Sequence, residues 1–220
     1  VSEAKTVTLV INGTNDQPVV ENVNLNDPLG ISQDIFPPET ELTYTNNTDL
    51  RIPPTGTAGT TSSTIVINEH GTIEDLNITI DLTHTWDSDL EIYLESPDGT
   101  RVKLVADIGG AGDNFIDTTF DDEATSSIES SSAPFTGTFR PEANSSSGEL
   151  HPDADNMLSA FDGEDIYGTW TLVIHDDAGA DSGTLDYWTL DITTTNGEIK
   201  IYETHDAIDV IGADDTQNDG

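Results

Sequence analysis

Leu76, Ile78, Ile80 and Leu82 alternate with Asn77, Thr79 and Asp81, and Leu90, Ile92 and Leu94 alternate with Glu91, Tyr93 and Glu95. A period of two sends alternate side chains to opposite faces of an extended strand, so each stretch offers one apolar face for burial. Val102, Leu104 and Ala106 repeat the pattern after the turn sequence SPDG. Trp170, Leu172 and Ile174 form a later strand, as do Trp188, Leu190 and Ile192, with HDDAGADSG between them as a turn. Only NMLSAF, 156–161, is compatible with a helical turn. Short strands with one apolar face must cover one another, which predicts an all-β domain: an antiparallel β-sandwich of jelly-roll type.

The ends of the chain read differently. TVTLVI, residues 6–11, is a β-branched run closed by NGTND, a strand ending in a turn. From 21 to about 63 the chain is rich in Asn, Asp, Thr and Pro and reads as a linker plus the entry to the next domain; paired prolines in IFPPE and RIPPTG favour extended backbone. The expected organisation is a terminal strand of a preceding domain at 1–20, a linker at 21–48, the sandwich at 49–195, and an acidic linker or next module at 196–220. With no initiator Met and no signal peptide, the chain reads as an internal piece of something longer.

Charge narrows the partners. Six Lys and Arg face 43 Asp and Glu, a formal net charge of −37, which repels nucleic acid and anionic membranes; no apolar run approaches a membrane span. Such a chain attracts counter-cations, from bound divalent metal or from high external salt. Cysteine is absent, which removes thiol chemistry and thiolate metal sites.

Calcium fits the acids best. It takes six to eight oxygen ligands, several of them carboxylates, on loops whose carbonyls supply the rest. GDNFIDTTFDDEA, 112–124, offers Asp113, Asp121 and Asp122 beside Phe115, Ile116 and Phe120, and HTWDSDL adds Asp87 and Asp89 at a loop-to-strand junction. If both loops lie at one end of the sandwich, these five carboxylates converge on Ca2+. The plainer reading is solvated loop acids in a chain acidic everywhere. DADNMLSAFDGE fails as an EF-hand because Met157 and Leu158 occupy the third-ligand and glycine positions. Asp176, Asp177 and Asp181 suit a capped turn, with a second cation site as the alternative.

Catalytic motifs do not survive inspection. HGT at His70 and DSG at Asp181 mimic subtilisin fragments, but the order is wrong and no GTSxAxP serine segment follows. For His84 and His175 hydrogen-bonded structural roles are expected. Trp86 and Tyr93 could face outward, yet no aromatic stripe marks a glycan platform, and Trp170 and Trp188 belong to the core register.

Five stretches in order, TSSTIVI, DLTHTWDSDLEIYLESPDGTRVKL, GDNFIDTTFDDEA, APFTGTFRPE and LSAFDGEDIYGTWTLVIHDDAGADSGTLDYWTLDIT, resemble the P domain (Homo B domain) of kexin- and furin-like proprotein convertases and of bacterial secreted proteases and surface proteins. The resemblance spans about 50–194 and implies a non-catalytic jelly-roll sandwich, calcium-stabilised, with Asp89, Asp113, Asp121 and Asp122 at acidic family positions; Asp87 is added on local chemistry alone. VTLVINGTNDQPVV resembles the junction of VCBS or cadherin-like adhesin repeats. Together these imply a non-enzymatic structural or adhesive module of a secreted or cell-surface bacterial protein. Its partners would be neighbouring domains, with a surface protein or glycan as a further candidate. The alternatives are the accessory domain of a secreted subtilisin-like protease and a glycan-binding module.

Overall fold

A computed structural model of the protein describes residues 39–55, 57–143 and 149–195, all within the unit Asp34–Lys200. The expected strand at 6–11, most of the expected linker and the segment 196–220 lie outside the described residues.

Among the described residues ten strands follow in chain order: β1 (Thr40–Asn46), β2 (Leu50–Ile52), β3 (Gly59–Ile67), β4 (Thr72–His84), β5 (Leu90–Glu95), β6 (Arg101–Ala106), β7 (Phe115–Phe120), β8 (Phe135–Phe139), β9 (Gly168–Asp176) and β10 (Gly183–Thr195). Three 3-10 turns interrupt them: η1 (Asp87–Asp89), η2 (Ile128–Ser130) and η3 (Leu158–Phe161), the last inside NMLSAF. One sheet runs β1-β10-β4-β7-β8 with β2 also on β10; the other runs β3-β9-β5-β6.

The alternating residues of β4, β9 and β10 are buried as their period requires, and Trp170 and Trp188 sit wholly inside. Burying a large apolar side chain contributes about 1.5–3 kcal/mol, so these facing rows hold the two sheets together. Trp188 Nε1–H also donates to Ser63 Oγ at 2.9 Å, tying β10 to β3 across the sandwich.

Four features depart from the sequence reading. First, β1 pairs with β10 from Thr40↔Thr194 to Asn46↔Trp188, so the sandwich begins inside the expected linker. Leu42 and Tyr44 turn toward the core while Glu41, Thr43 and Thr45 give the stretch its linker-like polarity.

Second, β7 and β8 pair parallel, not antiparallel. Third, β7 carries one extra residue: Ile80↔Thr118 is followed by Leu82↔Phe115, and Asp117 adopts φ 48. That bulge interrupts the alternation and leaves Ile116 40% exposed, although it reads as an apolar anchor.

Fourth, β5 and β6 are covered on both faces. Glu91, Tyr93 and Lys103 are buried, because Arg140–Ala143 and Glu149–Asp155 lie across them. Their backbones bond to β6 through Glu142 N–H to Leu104 O (2.9 Å), Lys103 N–H to Asp155 O (2.8 Å) and Asp155 N–H to Arg101 O (2.9 Å). Tyr93 is thus an inner residue, edge-on to His151, and not an outward aromatic.

Candidate metal centre

The five sequence-predicted acids do not converge. Asp113 precedes β7 and Asp121 and Asp122 follow it; six strand residues at about 3.3 Å each put roughly 20 Å between them. Asp87, Asp89 and Asp113 belong to one end of the sandwich, and Asp121 and Asp122 belong to the other.

At that other end both Asp122 oxygens accept backbone donors, Leu158 N–H at 3.0 Å and Ser159 N–H at 2.8 Å, and so cap η3. Asp121 Oδ1 accepts Glu123 N–H at 2.7 Å. Asp75 lies near both; burial, then the charge of Asp121, holds its carboxyl above the usual range.

The first end is organised around His84, the last residue of β4. Its N–H donates to Asn114 Oδ1 at 3.0 Å, its Nδ1 lies 2.9 Å from Trp86 O, and its Nε2 lies 3.3 Å from Asp176 Oδ2. His84 and Asp176 are fully buried, which makes the histidine a structural hub for three loops. Asn114 sits at φ 76, a left-handed conformation that Asn tolerates better than most residues, and its N–H donates to Asp87 Oδ1 at 2.9 Å. Burial pushes the Asp87 carboxyl up to about 6, opposed by Asn114 N–H and His84 and assisted by Asp113. Asp89 is half-buried; burial, then Asp176, Asp181 and Asp177, raises its carboxyl. Asp113 is exposed. Trp86, between His84 and Asp87, is 42% exposed.

HDDAGADSG forms a capped turn: Asp176 Oδ1 accepts Ala178 N–H at 3.2 Å, and Asp181 Oδ1 accepts the Thr85 hydroxyl at 3.0 Å. His175 Nδ1 lies 2.9 Å from Thr60 Oγ1.

Sequence reasoning missed a second acidic grouping here. Glu91, Asp107 and Asp177 each bring a carboxylate oxygen to within 4.8 Å of the others. Glu91 looks like a solvent-facing strand residue, and only the covering segment, through Leu150 N–H to Glu91 Oε2 at 2.6 Å, reveals it as buried. The signal available in sequence was Tyr93, which shares its face and donates its hydroxyl to Glu91.

Calcium is a group the resemblance implies, and one feature of the first end is compatible with it. Asp87 Oδ2 is buried without a hydrogen-bond partner, so the first end holds a hard oxygen donor that its own protein groups leave unsatisfied. Asp121 and Asp122, by contrast, spend carboxylate oxygens on backbone N–H groups.

Among the described residues no helix is long and apolar enough to cross a membrane. Two solved structures from Aeromonas sobria resemble the fold. One is a serine protease in complex with a chaperone, with TM-score 0.45, 21% identity, and coverage of 75% of this chain and 28% of that one. The other is a serine protease, with TM-score 0.43, 21% identity, and coverage of 74% and 28%. This chain therefore spans little more than a quarter of either. The sequence profile of the proprotein convertase P-domain matches residues 73–192, from the second residue of β4 to within three residues of the end of β10. That is more than half of the 220 residues, and the chain belongs to the proprotein convertase P-domain family.

Proposed function

We propose that this chain is the non-catalytic accessory domain of a secreted protease, a jelly-roll sandwich that packs beside a subtilisin-like catalytic domain and stabilises it. The observation that carries this reading is the family match over 73–192, which takes in seven of the ten strands. Bound calcium braces the acidic end near His84. At affinities of about 10⁻⁴ to 10⁻³ M, typical of extracellular modules, external calcium at about 1 to 10 mM contributes roughly 0.4–3 kcal/mol per site.

The test uses the full polypeptide that carries this chain. Deleting residues 39–195 is expected to shorten the half-life of its peptidase activity on warming, while the isolated segment hydrolyses no peptide. An unchanged half-life, or a polypeptide with no Asp, His and Ser catalytic domain, removes the accessory role.

The second reading is a structural or adhesive module of a cell-surface protein, favoured by the repeat-like stretch VTLVINGTNDQPVV. Tandem repeats in the flanking sequence, and retention of the module on a glycan array or a host-cell surface, support it.

A further inference from the structure

The two oxygens of the Asp87 carboxylate have different surroundings. Oδ1 accepts the Asn114 N–H, whereas Oδ2 is buried with no donor, and the residue as a whole is 0% exposed. A buried carboxylate oxygen in that condition is costly unless a proton or a cation neutralises it.

Oδ2 faces a turn built for close approach. A Cβ on Gly109, at φ 91, would stand 3.5 Å from Oδ2 and only 2.9 Å from Asp87 Cβ, so the backbone passes against the carboxylate. The same turn is pinned from behind, since a Cβ on Gly112 would meet Ala133 Cβ at 2.5 Å. Its carbonyls already reach η1: Gly112 O accepts Asp87 N–H at 2.9 Å and Gly110 O accepts Ser88 N–H at 3.3 Å. Each carbonyl oxygen keeps a second lone pair. Asp113 continues the turn and lies close enough for its charge to act on Asp87.

We propose that this corner binds one hard divalent cation of the calcium class through Asp87 Oδ2, the Asp113 carboxylate and carbonyls of the 109–112 turn, with no part taken by Asp121 or Asp122. The assignment rests on the calcium reading above and names its site. Mixed carboxylate and carbonyl donors on an irregular turn suit calcium better than magnesium, which demands near-ideal octahedral geometry.

Trp86 makes the site readable, because terbium in a calcium site is sensitised by a neighbouring indole. The full chain titrated with terbium is expected to emit, calcium to displace the signal, and Trp86→Phe to lose most of it. Asp87→Asn and Asp113→Asn should each weaken binding by at least the roughly 10-fold that loss of a mere supporting group costs, while Asp121→Asn with Asp122→Asn leaves it unchanged. Asp113 is exposed, so its variant keeps the test open if Asp87→Asn does not fold. A wild-type chain that binds no ion overturns the calcium reading together with this assignment. Binding that survives both Asp87→Asn and Asp113→Asn, or that is lost instead with Asp121 and Asp122 or with Asp177→Asn, overturns the assignment alone. If Oδ2 merely carries a proton, Asp87→Asn mimics it and the calcium response stays intact, which also overturns the assignment. The accessory role is judged separately by the protease half-life.

Discussion

Glu142 is a buried carboxyl with one backbone donor, Ala106 N–H at 2.6 Å to Oε2, and with Lys103, Glu129 and Glu149 acting on it from the surrounding segments. Burial raises it from 4.5 to about 7; Ala106 N–H and Lys103 oppose the rise, and Glu129 and Glu149 add to it. The folded state therefore holds this proton more tightly than the unfolded chain. Its contribution to stability is complete below about 4.5 and is lost as pH climbs through about 7. Glu142→Gln keeps an acceptor for Ala106 and cannot ionise. Urea midpoints of the variant should fall less than those of the wild type across that window, and parallel curves would show that Glu142 does not set the pH dependence. Nothing in RPEANSSSGE distinguishes Glu142 from a solvated acid. Its burial comes from Leu104 and Ala106, which lie far off in sequence, so this titration is invisible until the chain is folded.

Among the elements, the pairing of β10 with β4 is the longest, and it closes at Gly183, which pairs with both Ile52 of β2 and His84 of β4. A Cβ there would lie 1.6 Å from Thr83 O, well inside contact distance. Gly183→Ala is expected to cost about 3 kcal/mol or more, because backbone and not a flexible side chain must give way. Chemical denaturation measures it, and a loss under about 1 kcal/mol would mean the strand ends part freely. The turn before Gly183 was legible, since Asp and Gly cap and reverse a chain through local hydrogen bonds. The parallel partnership of β7 and β8 was not. Parallel strands need a crossover, here residues 121–134 with η2 inside it, and the Ser-rich sequence of that crossover carries no periodic signal. The same limit explains Ile116: one inserted residue in β7 reverses which face follows, and a bulge leaves little trace in composition.

For the whole molecule the dominant quantity is the net charge of −37. General screening and a specific ion both relieve it, but over different concentrations. Sodium chloride acts as the Debye length shrinks from about 8 Å at 0.15 M to about 3 Å at 1 M. A calcium site acts in the millimolar range, where screening hardly changes. At matched ionic strength calcium chloride should therefore raise the melting temperature well above the value in sodium chloride. Equal melting temperatures would mean that the acidity serves hydration in brine and that no site is filled.

The sequence by itself determined the all-β class, the inward faces of β4, β9 and β10, the burial of Trp170 and Trp188, and the concentration of acid in the loops. All of these follow from local periodicity and composition, which act within one strand or one turn. Only the tertiary structure decided which acids meet. Asp113 and Asp121 are eight positions apart in sequence and stand at opposite ends of the sandwich because a strand runs between them. Glu91, Asp107 and Asp177 are far apart in sequence and converge because β5, β6 and β9 pair side by side. Proximity between charges depends on strand order and register, and those are settled by how the two sheets close over their shared core.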